Sequence, residues 1–157
     1  MDPEQKFKKL IDKIDELKKG KNFDLSMEED LSIAVMNLIS LEEHFFFTAS
    51  KTGKAEYFDL MGEVREVRKA MLAKMIDKHE GETWCITKHL LAATMRLIEV
   101  GTKSHDQKYF DHAYKLYSLF WALRLKLIKL PDVKSSVKDE PMTLQELTAK
   151  LVDCCKE

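Results

Sequence analysis

The chain has 157 residues, a formal net charge of −1, a charged fraction of 34%, and only 5 Gly and 3 Pro. This length favours one domain with its own hydrophobic core, and so few glycines and prolines are typical of a helical protein. The near-neutral charge argues against a protein that mainly grips a phosphate backbone, so we do not expect nucleic acid as the partner.

The spacing of apolar residues predicts five helices in the first 130 residues. They cover about 3–19, 27–50, 55–79, 83–100 and 104–128. We expect the last four to form an antiparallel up-down four-helix bundle, because the loops between them are short. The fold class is therefore all-α, with the first helix as an accessory.

The third of these helices has many apolar positions, and we expect them to form its core stripe. They are Tyr57, Leu60, Met61, Val64, Val67, Met71 and Met75. In the next helix, Gly101 is expected to end the helical pattern, since glycine is common just beyond a helix. Ser104 then has the spacing of a capping box with Gln107, which predicts the start of the fifth helix.

Residues 131–157 form a second region, predicted to be a polar linker followed by a short C-terminal helix. That helix would open at Thr143 and carry Leu144, Leu147 and Leu151 on one side. Like the first helix, it is an accessory that could dock on the bundle or contact a partner.

Three cysteines are present, Cys85, Cys154 and Cys155, which form no paired disulfide framework. The first residues lack the layout of a secretory signal, and no apolar run approaches the roughly 20 residues that span a bilayer. These features predict reduced thiols in a cytoplasmic protein that does not enter membranes.

Several charged residues fall at one level of the predicted bundle, because residues equidistant from a hairpin turn lie at similar heights. They could form a carboxylate and histidine metal site made of Glu42, Glu43, His44, Glu63, Glu66 and Glu99. Alternatively, Arg68 and Arg96 make structural ion pairs with these acids. Di-metal bundles use a Glu-x-x-His motif, and none of the five histidines here follows that pattern. Ion pairs are the simpler interpretation.

A second candidate metal site consists of Cys85 and His89, which lie four residues apart and hence on one helical face. His79 precedes the turn and could supply a third ligand. A structural zinc site needs about four ligands. A buried cysteine that behaves as a small apolar residue is therefore the alternative.

Three consecutive aromatic residues, Phe45, Phe46 and Phe47, stand near the end of the second helix. They cannot all point into the core, because successive helical residues diverge by roughly 100°. At least one must meet an accessory helix, a second subunit or a ligand pocket. We expect Phe46 and Phe47 to form an interaction surface.

The stretches Ser40-Leu41-Glu42-Glu43-His44 and 84–91 (WCITKHLL) resemble an uncharacterised family of small helical proteins from reduced-genome bacteria. The resemblance covers residues 31–123. It implies a helical fold and carries no function.

These observations favour a non-catalytic protein that acts through protein–protein contacts, either with another protein or as a homodimer. Two alternatives stay open: a metal-binding bundle, which could be redox active, and a small-molecule pocket in a core lined by methionines and aromatics. No cofactor is expected under the first interpretation, and a transition metal is expected under the second.

Overall fold

The computed structural model describes residues 2–19, 25–77 and 82–130, and these residues form five α-helices and no strand. The helices are α1 (Pro3–Lys19), α2 (Leu25–Thr52), α3 (Glu56–Ala73), α4 (Thr83–Ser104) and α5 (Gln107–Arg124). The all-α prediction is confirmed. His79, Cys154, Cys155 and the predicted terminal helix lie outside the described residues.

Two helical hairpins make up most of the fold. α2 packs against α3, α4 packs against α5, and α2 joins the hairpins by also packing against α4. α1 lies against α5. α3 has only marginal contact with α4 and α5, so it is attached to the rest of the fold through α2.

The hydrophobic core lies where the two hairpins meet. Its fully buried members include Val35 on α2, Leu72 on α3, Trp84 and Leu91 on α4, and Phe120 on α5. Burying each side chain of this size stabilises the fold by roughly 1.5–3 kcal/mol. A hydroxyl pair ties α2 to α5 beside this core, with 2.7 Å between Ser32 Oγ and Tyr117 Oη.

The apolar positions of α3 divide between the core and the surface, which differs from the single core stripe expected. Leu72 is fully buried and Met75 is buried, but Leu60 and Val67 are 41% and 51% exposed. Val64 is half-buried. The physical reason is that α3 packs mainly against one other helix, so only one side of it is covered.

α4 does not end at Gly101 but continues to Ser104, and His105 closes it with a φ of 53°. Gly101 is buried, and a Cβ added there would lie 3.1 Å from two ring carbons of Phe110. The glycine therefore allows α5 to approach α4 closely rather than ending the helix.

The other helix ends also differ from the pattern. Asp106, not Ser104, caps α5, because its carboxylate accepts a hydrogen bond from the backbone N–H of Lys108 at 3.0 Å. α3 ends at Ala73, six residues before the expected end, and the backbone N–H of Met75 donates to the carbonyl of Leu72 in the turn that follows.

Candidate interaction groove

A buried carboxylate with two arginines joins α2 to α3. Glu42 is 7% exposed, and its Oε1 accepts a hydrogen bond of 2.7 Å from Nε of Arg68. Its Oε2 accepts one of 2.8 Å from Nε of Arg65 and a longer one of 3.4 Å from Nη2 of Arg68. Arg68 is 1% exposed, so this is an ion pair in the interior of the fold.

The helix geometry explains why these three side chains meet. Arg65 and Arg68 are three residues apart and lie on neighbouring positions of one α3 face. Glu42 comes level with them because α2 and α3 run in opposite directions, as the stacking of Phe45 on Tyr57 near the turn also shows. A buried charge is costly unless paired, so this cluster favours one relative placement of the two helices.

An open groove lies over α2 between α3 and α4, with a cavity volume of about 640 Å³. Its lining consists of Ile39, Glu42, Glu43, Phe46 and Phe47 of α2, Met61, Arg65 and Arg68 of α3, and Lys88, His89 and Ala92 of α4. The groove exists because α3 and α4 both pack on α2 but hardly on each other.

The lip of this groove is aromatic. Phe46 and Phe47 are 46% and 56% exposed, and their ring centroids lie 5.3 Å apart. Phe58 of α3 is also exposed, with its ring 6.4 Å from that of Phe46. Phe45 instead turns inward and stacks on Tyr57 at 6.3 Å. Of the three consecutive phenylalanines, two are thus left at the surface.

The residues proposed for a carboxylate metal site are spread apart. Glu43 approaches Arg96 to 3.9 Å, and Glu66 pairs with Lys69 of its own helix at 3.0 Å. His44 and Glu63 are exposed, and Glu99 is half-buried. Both oxygens of Glu42 accept hydrogen bonds from guanidinium groups. Within residues 2–19, 25–77 and 82–130, no three His, Cys, Asp or Glu side chains form a group that could hold a metal.

The residues of the second candidate metal site also lie in different surroundings. Cys85 is buried in the core beside Trp84, whereas His89 is exposed and lines the groove. The third proposed ligand of this site, His79, is outside the part of the chain that the structure describes.

Arg96, which was predicted to form an ion pair, approaches Glu43 to 3.9 Å and also donates a hydrogen bond of 3.0 Å from Nη2 to Ser40 Oγ.

Sequence reasoning did not single out Arg65, Lys88 or Phe58 as site residues. Arg65 could have been found from its position three residues before Arg68, since both then face the helix that carries Glu42. Lys88 had no local signal, because its place in the groove lining depends on how far α3 and α4 diverge. Phe58 had none either, because it meets the lip of the groove only through its contact with Phe46 across the hairpin.

In comparisons with known proteins, no protein-family model matches this chain, and no curated protein or solved structure matches it. Nor does any helix among the described residues combine the length and apolar character needed to cross a membrane.

Proposed function

We propose that this chain is a non-catalytic interaction protein whose groove over α2 binds an amphipathic helix of a partner protein. In this proposal, α2 to α5 are an up-down four-helix bundle that is open between α3 and α4. The observation that carries it is the exposure of Phe46 and Phe47, 46% and 56%, side by side at the lip of the groove.

The shape of the groove favours a helix as the bound element. A helix that lays its apolar face into a hydrophobic groove is a common mode of peptide recognition, with anchors about three or four residues apart. Ile39 and Phe46 both line the groove and are seven residues apart on α2, which corresponds to about 10 Å. A bound helix would therefore meet this lining with about two turns.

The charges of the groove favour an acidic residue on that helix. Two arginines share one buried carboxylate, and the side chain of Arg65 is 46% exposed. Lys88 adds a further positive charge to the α4 side, while Glu43 opposes it on α2. The formal charges of the five charged side chains that line the groove sum to +1; these are Glu42, Glu43, Arg65, Arg68 and Lys88. A partner helix with an Asp or Glu next to its apolar anchors would complement Arg65.

The proposal is tested by placing a photo-crosslinking phenylalanine analogue at Phe47 in the full chain. Tyr114 on α5 is the matched control, since it is 57% exposed and lies away from the groove. We expect position 47, and not position 114, to capture a peptide with apolar residues at helical spacing and an adjacent acid. A synthetic copy of that peptide should bind the wild type and lose about tenfold in affinity to Arg65→Gln.

Two results would overturn the proposal. One is capture of the chain's own residues 131–157, or of peptides without helical apolar spacing, at position 47. The other is a synthetic peptide whose affinity is the same for Arg65→Gln as for the wild type.

A further inference from the structure

The hairpin of α2 and α3 has a second exposed apolar surface, on α3 beside the groove. It consists of Leu60, Val64, Val67 and Met71. Leu60 and Val67 are 41% and 51% exposed, and the other two are half-buried. We call this set the back face.

Helix geometry separates the back face from the groove around α3. With about 100° per residue, Val64, Val67 and Met71 lie within about 40° of Leu60 around α3. The groove-lining residues Arg68, Met61 and Arg65 lie about 80°, 100° and 140° from Leu60. The two surfaces therefore lie on neighbouring sides of the helix, with their centres about 100° apart.

The four back-face residues of α3 follow the spacing of a coiled-coil seam. Leu60, Val64, Val67 and Met71 are separated by four, three and four residues, which is the a and d pattern of a heptad repeat. Such a seam packs against another helix of the same kind. Within the described residues, Leu60 and Val67 are left largely uncovered, since α3 packs only on α2 to any extent, whereas Met71 also packs partly against the core.

We infer that the back face is a homodimer interface, in which α3 packs antiparallel against α3 of a second copy. A twofold axis midway between Val64 and Val67 makes the seam self-complementary. It places Leu60 opposite Met71 of the second copy, and Val64 opposite Val67. A twofold interface requires this kind of self-matching from one surface.

The charges beside the seam select the antiparallel arrangement. Glu56 and Lys74 stand at opposite ends of α3, about 40° to the same side of Leu60, and both are exposed. Neither has an ion-pair partner among the described residues. The same twofold axis places Glu56 of each copy almost level with Lys74 of the other copy, to within about one residue along the helix. A parallel arrangement would instead place Glu56 level with Glu56.

The size of the surface sets the strength of the contact. α3 has 18 residues and so is about 27 Å long, and two packed helices are about 20 Å wide. Roughly 1,000 Å² would be buried over both partners, at the lower limit for a specific interface. We therefore expect a dimer that forms as protein concentration rises.

The test is the solution mass of the full chain, measured by sedimentation as a function of concentration. The wild type should shift from monomer to dimer, and Val67→Lys should remain monomeric at every concentration. The matched control is Ile98→Lys, because Ile98 is 37% exposed on α4 and lies outside the back face. It should dimerise as the wild type does. The double change Phe46→Gln with Phe47→Gln should also dimerise, which separates this inference from the proposed function of the groove.

The charge pair gives a second, independent readout. Lys74→Glu and Glu56→Lys should each weaken the dimer several-fold, and the double exchange Glu56→Lys with Lys74→Glu should restore it. A wild type that is monomeric throughout, a Val67→Lys protein that dimerises normally, or a double exchange that fails to restore the dimer would overturn the inference.

Discussion

The two hairpins use similar apolar patterns in different ways. α5 buries Phe120, Trp121 and Leu123 against α4 and the rest of the core, whereas the buried residues of α3 are Arg68 and Leu72. α4 and α5 are thus joined mainly by aromatic and aliphatic packing. α3 is placed on α2 by a buried ion pair together with a smaller apolar contact.

The two hairpins also differ in how far their large apolar side chains are exposed. The α4/α5 hairpin encloses Phe120 and Trp121 completely, but the α2/α3 hairpin leaves Phe46, Phe47 and Val67 half exposed. Because exposed apolar surface is costly in water, clusters of it commonly mark binding surfaces. We therefore propose that the α2/α3 hairpin carries most of the binding contacts, and that the α4/α5 hairpin mainly supports it.

The largest effect is expected from breaking the ion pair that holds α3. Glu42→Gln removes the charged carboxylate whose Oε1 lies 2.7 Å from Nε of the buried Arg68, so the free energy of unfolding should fall by about 3–5 kcal/mol. Replacing both partners, Glu42→Leu with Arg68→Met, should cost much less, since no buried charge is then unpaired. Urea denaturation of the three proteins measures this.

Glu66→Gln is the control for that series. Glu66 pairs with Lys69, but its side chain is 71% exposed, so the change should alter stability by less than about 0.5 kcal/mol. An equal loss in Glu42→Gln and Glu66→Gln would show that the buried pair does not hold the hairpin together.

A smaller effect distinguishes the close packing of α4 on α5 from the open surface of α3. Gly101→Ala should destabilise by about 1–3 kcal/mol, because its Cβ would crowd the ring of Phe110 at 3.1 Å. Gly62→Ala on α3 should stabilise by about 0.5–1 kcal/mol, since alanine favours the helix and nothing lies within 4 Å. Thermal unfolding should show shifts of opposite sign. Shifts of the same sign would contradict this account.

A pH-dependent effect is expected where α2 meets α5. Burial raises the pKa of Tyr117 above its ordinary value of about 10. The folded protein therefore holds this proton more tightly than the unfolded chain, and that stabilisation is present below pH 10 and lost as pH rises above it. The stability advantage of the wild type over Tyr117→Phe should shrink on passing from pH 9 to pH 11. An advantage that grows instead would contradict the direction of the shift.

The sequence predicted the helices well, because apolar spacing is a local property that survives folding. It could not predict which apolar face of α3 is buried. Leu60, Val64 and Val67 repeat at helical spacing just as Met61 and Leu72 do, and only the position of α2 decides between them. The end of α4 was missed for a similar reason, since the role of Gly101 depends on Phe110 of another helix.

The candidate site was predictable in part. The argument that Phe45, Phe46 and Phe47 cannot all face one core rests on helix geometry alone, and it leads directly to the exposed pair. The position of the hairpin turn also predicted that Glu42 lies level with residues of α3, because residues equidistant from the turn lie at similar heights. Its pairing with Arg65 and Arg68, rather than with other acids, depends on side-chain direction, which height along a helix does not give.

The most direct test of the central claim compares the unfolding free energy of two proteins. One carries Phe46→Gln with Phe47→Gln in the α2/α3 hairpin, and the other carries Phe120→Ala in α5. We predict that the first stays within about 1 kcal/mol of the wild type, because both side chains are already about half exposed, and that the second loses about 3–5 kcal/mol. A loss in the first as large as that in the second would mean that Phe46 and Phe47 belong to the core, and the claim would fail.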